Sequence, residues 1–161
     1  MAGSWEDFFI AQVGAAAALA GLVFVALSIN LRQIVSSPLL VGRAAEAMLL
    51  LVTPVLLGFA VLAPAGELWI AGILAAAIAV PIWASVTRLV VRGLGPSRER
   101  PPVERYLRLV ASQVALVPAL VGAALLLADV HAGYGFLAAS AALSIAAGVF
   151  DAWVLLVEIL R

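Results

Sequence analysis

"FFIAQVGAAAALAGLVFVALSIN", Phe8 to Asn30, contains no Asp, Glu, Lys or Arg, and its reading decides the fold. At about 1.5 Å of rise per residue, a helix of this length crosses a hydrocarbon core about 30 Å thick. Glu6 and Asp7 precede it, where a secretory signal would carry basic residues, so the stretch reads as a membrane-spanning helix. Outward from it, four further apolar runs follow at Ala44–Ala63, Leu68–Val91, Tyr106–Ala128 and Tyr134–Leu160. The expected fold is all-α. It is a single membrane domain over residues 1–161, with helices near 8–30, 44–63, 68–91, 106–128 and 134–160 and an Arg/Pro-rich loop at 92–105.

Composition points the same way. Of the 161 residues, 66% are hydrophobic and 11% charged, and the mean hydropathy is +1.21, whereas a soluble domain has about 45–50% apolar and about 25% charged residues. Cysteine is absent, which excludes disulfides, thiolate metal ligands and a cysteine nucleophile. Pro54, Pro81 and Pro118 fall inside the second, third and fourth runs. Each removes a backbone donor and is expected to kink its helix, in membrane bundles more often for packing than for gating.

The charges give an orientation. All nine basic residues are arginine. Arg32 and Arg43 flank the first connection, six arginines from Arg88 to Arg108 crowd the third, and Arg161 ends the chain. Glu6, Asp7, Glu67, Asp129 and His131 mark the other side. Short arginine-bearing loops stay cytoplasmic, so the N-terminus is expected outside and the C-terminus in the cytoplasm. An odd number of crossings requires opposite termini, so the two readings agree. Trp5, Phe8, Phe9, Trp69, Tyr134 and Phe136 then mark the outer interface and Tyr106 the inner one. The arginine stretch is above all a topology signal, and its excess over Glu99 and Glu104 also suits anionic lipid headgroups.

Two helices carry a seam of small and polar residues. On the first, Gly14, Ala18, Gly21, Val25, Ser28 and Arg32 recur at alternating steps of four and three, which places them on one face. On the fifth, Ser144, Asp151 and Glu158 are spaced by seven, with Ala147 and Gly148 on the same stripe. Small residues let helix backbones approach closely, so both seams are candidate packing surfaces. Together they point to a homo-oligomer or to another membrane protein as partner.

Asp151 interrupts the last apolar run, in "GVFDAWVLLVEILR", where a charge is costly and usually has a reason. Counted from Tyr134 it lies about 25 Å along its helix, near the cytoplasmic edge of the hydrocarbon. The same counting brings Arg32, Glu46, Arg88 and Arg108 to that depth, which makes Arg32, Glu46, Arg88, Arg108 and Asp151 a candidate polar network. In the structural reading the carboxylates accept from arginine forks, with Arg88 or Arg32 the best partners for Asp151. In the sharper reading Asp151 or Glu46 titrates and carries a proton or a cation. Shallow depth and abundant arginine favour the structural reading, because transport sites sit near the midplane.

Catalytic patterns are missing. No H-E-x-x-H, G-x-S-x-G or glycine-rich phosphate loop occurs, and His131 stands alone in a loop. "AGYGF", Ala132 to Phe136, has the Gly-Tyr-Gly of a potassium filter but no room before it for a pore helix. No cofactor, metal or nucleic acid is expected. The sequence therefore points to a non-enzymatic interaction or modulator protein in contact with membrane lipids, with an oligomeric ion or proton conductor as the alternative and an intramembrane enzyme third.

The opening "WEDFFIAQVGAAAALAGLVFVALSINL", Trp5 to Leu31, and the ending "DAWVLLVEILR", Asp151 to Arg161, resemble those of a family of small polytopic inner-membrane proteins of bacteria, particularly actinobacteria. Heavy use of Ala, Gly, Arg and Val fits such a source. The resemblance extends over the chain in length and helix order. Some members are labelled modulators of the membrane protease FtsH, so the resemblance implies a modulator role in the plasma membrane and no catalytic residues.

Overall fold

The computed structural model describes residues 2–64, 67–92 and 102–159, with the backbone alone for 2–4, 102–105 and 159. Six helices appear in the order α1 (Ala2–Ile29), α2 (Leu31–Ile34), α3 (Pro38–Leu62), α4 (Leu68–Arg92), α5 (Pro102–Leu127) and α6 (Gly133–Ile159), and no strand occurs among the described residues. All but the one-turn α2 are long and apolar enough to cross a membrane, so the chain is a multi-pass membrane protein. Arg98, Glu99, Arg100 and Arg161, and with them most of the arginine loop, lie outside the described residues.

Helices α3, α4, α5 and α6 form a closed ring, each packed on the next and α6 returning to α3. Helix α1 lies outside this ring against α3, with a lighter contact to α6. Burial follows from that placement: half of the most apolar window of α3 is buried, but only 22% of that of α1. The short α2 turns the chain between α1 and α3. Asn30 begins it by accepting from the Gln33 and Ile34 amides, while its own Nδ2 donates back to Ala26 at 2.9 Å.

Helix α3 starts at Pro38, six residues before the expected Ala44. The cause is local: Ser37 is extended and Pro38 occupies the first turn, where its fixed φ suits helix initiation and its missing N–H costs nothing. The correction matters because it moves Arg43 from a loop into a helix. Helix α5 likewise starts at Pro102, before the expected Tyr106.

Small residues set the helix distances. Ala71, Ala75 and Ala79 on α4 share one buried cluster with Ala119 and Ala123 on α5. A Cβ at Gly72 would lie 2.6 Å from the Leu127 backbone nitrogen, and one at Gly122 would lie 2.9 Å from the Gly133 carbonyl. Backbone thus meets backbone at the end of the bundle that carries the 128–132 turn. There, Asp129 takes a left-handed φ of 59°, and the Val130 and Asp129 amides return to the Leu125 and Leu126 carbonyls. This Schellman ending usually carries glycine. Phe9, Leu57, Leu126 and Leu137 are fully buried at the same end, and Trp5 stacks near Phe9 and Tyr134 at centroid distances of 6.3 Å.

Candidate functional site

The charged groups gather at the opposite end of the bundle, where α3, α5 and α6 meet. Glu46 on α3 is wholly buried, and its Oε2 accepts from Arg108 Nη2 on α5. One turn before Glu46, Arg43 is buried as well, and its Nη1 donates to Glu158 Oε2 on α6 at 2.7 Å. These two ion pairs tie three helices together, with Arg43 and Glu46 buried and Arg108 and Glu158 partly exposed. Removing one partner of such a pair leaves a charge in low dielectric.

Asp151 on α6 stands between the two pairs and belongs to neither. It experiences the positive charge of both Arg108 and Arg43 and the negative charge of Glu46, yet has no ion-pair or hydrogen-bond partner among the described residues. Instead it lines a cavity of about 440 Å³, whose wall also includes Arg43, Arg108, Ser112 and the apolar Leu50, Leu107 and Phe150. The Ser112 hydroxyl donates to the Leu109 carbonyl at 2.9 Å.

Of the expected polar network, the structure brings Glu46, Arg108 and Asp151 together. Arg32 and Arg88 are exposed and do not pair with Asp151; both share its depth but project from other faces of their helices. Arg43 and Glu158 take a place in the group that the sequence reading did not give them. The signal for Arg43 was Ser37-Pro38, which starts the helix early enough to bury it. For Glu158 it was the spacing of seven from Asp151.

The two small-residue seams part company. On α6, Ser144 is buried and donates to the Ala115 carbonyl at 3.4 Å, next to Ser140 at 2.7 Å. A Cβ at Gly148 would come within 2.8 Å of Leu51. This seam is consumed inside the ring. On α1, Gly14, Ala18, Gly21 and Ser28 are all exposed, and nothing lies within 4 Å of a Cβ placed at Gly14 or Gly21. Helix α1 docks on α3 through a different face, with Phe9, Gln12, Ala16 and Ala20 buried and Val13 set against Gly58.

Other buried polar groups act as ties between helices. Gln12 Nε2 donates to the Pro54 carbonyl at 2.8 Å. Trp83 Nε1 donates to Gln113 Oε1 at 2.7 Å, and Gln113 Nε2 donates to Thr87 Oγ1 at 3.0 Å, a clamp between α4 and α5. Toward the far end the ring is filled by the apolar cluster of Leu57, Ala75, Ala119, Leu126 and Leu137. No group of three or more metal-binding side chains occurs among the described residues. No family model matches the chain, and neither does a curated protein or a solved structure.

Proposed function

We propose that this chain is a non-enzymatic interaction or modulator protein of a bacterial inner membrane, N-terminus outside and C-terminus in the cytoplasm, that associates through the α1 face of Gly14, Ala18, Gly21 and Ser28. One observation carries the reading: among the described residues nothing lies within 4 Å of a Cβ at Gly14 or Gly21, and Ala18 and Ser28 on the same face are exposed. In lipid, association gains from close van der Waals approach rather than from a hydrophobic driving force, and small residues permit that approach. A second copy is the natural occupant, because a straight stripe of small residues is complementary to itself about a two-fold axis. The modulator label of the family that the chain ends resemble fits a protein that works by association. The orientation rests on the arginine distribution.

Conduction is the weaker reading. The charged layer is confined to one end, and from Asp151 to Leu137 the helix runs about 21 Å toward apolar packing that fills the ring.

Gly21→Leu tests the association. Since a side chain at Gly21 meets nothing in the bundle, the variant should keep the thermal stability of the wild type in detergent and lose energy transfer between labelled copies in liposomes. Undiminished transfer in the variant would refute the proposal.

A further inference from the structure

The charges around the cavity beside Asp151 do not cancel. Its wall carries two guanidinium groups, Arg43 and Arg108, against the single carboxylate of Asp151. Glu46 and Glu158 off the wall, with Arg32 and Arg88 at the same depth, bring the layer to four arginines against three carboxylates. Wall and layer each keep an excess of one positive charge. Arg108 meets Glu46 through Nη2 alone among the described residues, and its side chain keeps 20% exposure. A guanidinium has five N–H donors in a planar fork, so Arg108 can hold Glu46 and still donate to a second anion. The volume of about 440 Å³ lies within the range of small-ligand sites, which are mostly apolar with a few placed polar groups.

Its mouth and its depth indicate where an occupant comes from. Leu107 and Phe150, wall residues on α5 and α6, are 64% and 63% exposed, and both lie within membrane-spanning segments. The cavity therefore opens sideways toward lipid, and a molecule entering by this route has an apolar body. Arg108 stands two residues inside its span, which begins at Tyr106, so its guanidinium lies at the edge of the hydrocarbon, beside the headgroup region. A lipid lying in the cavity brings its phosphate to that depth. A singly negative headgroup cancels the positive excess, whereas a zwitterionic one leaves it in place.

We propose that this cavity is a binding site for a singly anionic phospholipid with a hydroxyl-bearing headgroup, whose phosphate accepts from Arg108 while its acyl chain lies along Leu107 and Phe150. A headgroup hydroxyl donates to Asp151, which satisfies the carboxylate without a second cation. The site is independent of the α1 face, so either can fail without the other.

Native mass spectrometry of the full chain, released from detergent with equal amounts of phosphatidylglycerol and phosphatidylethanolamine of identical chains, tests this. The wild type should retain the glycerol lipid about tenfold over the ethanolamine lipid, the ratio that one charge-assisted hydrogen bond supports. Glu46→Gln combined with Arg108→Gln removes the donor without stranding its buried partner, and should abolish the preference. Ala111→Phe, which fills the cavity from its wall and leaves every charge in place, should abolish retention. Arg92→Gln, an exposed arginine away from the wall, should change neither, and inorganic phosphate at the same concentration should not displace the lipid. Equal retention of both lipids, preference for the ethanolamine lipid, a preference that survives the double variant, retention unchanged by Ala111→Phe, loss of preference in Arg92→Gln, or displacement by phosphate would overturn the assignment.

Discussion

Glu46 and Arg108 show how burial divides the energy of an ion pair unequally between its partners. The Glu46 side chain has no exposure, whereas that of Arg108 keeps 20% and its long stem can carry the charge outward when released. Arg108→Gln strands a carboxylate that also faces Asp151, and should cost about 3–5 kcal/mol in detergent unfolding. Glu46→Gln should cost clearly less, and the double variant should recover part of the loss of Arg108→Gln. Equal losses for the two single variants, with simple additivity, would mean that the pair is not the unit described. The membership of this layer was partly legible in the sequence because depth along a helix follows from counting. The pairing was not, because counting gives no rotation about the helix axis. Arg32 and Arg88 share the depth of Asp151 and are exposed, while Arg43 is buried because α3 begins at Pro38.

At the level of helices, the contrast between Gly72 and Gly21 is the sharpest. Both sit in apolar helices, but a Cβ at Gly72 collides with the backbone of α5 and one at Gly21 meets open space. Gly72→Ala should therefore destabilise the bundle by about 1–3 kcal/mol, as overpacking does, and Gly21→Ala should leave monomer stability within about 0.5 kcal/mol. Thermal unfolding of the two variants side by side checks this, and equal effects would contradict the packing of α4 on α5. The five spans could be read from hydropathy because lipid demands long uninterrupted apolar helices. Which seam faces inward could not be read. The stripe of Gly14, Ala18 and Gly21 and the stripe of Ser144 and Gly148 look equivalent as patterns, and only the placement of α1 outside the ring separates them.

For the whole molecule, the closed ring of α3 to α6 explains why α1 is left with an open side. The ring buries its charged layer at one end, whereas α1 sets the face of Phe9, Gln12, Ala16, Ala20 and Leu27 on the outside of α3 and α6. Its small face, Gly14, Ala18, Gly21 and Ser28, is exposed, and among the described residues nothing lies within 4 Å of a Cβ at Gly14 or Gly21. That face carries the central claim, and the cysteine-free sequence offers a direct measurement. Val25 lies on the small face and Leu22 beside it, both exposed, at 56% and 70%. Oxidation of native membranes should convert Val25→Cys into a disulfide-linked dimer and leave Leu22→Cys monomeric. Cross-linking of equal yield from both positions, or none from Val25→Cys, would contradict association through this face.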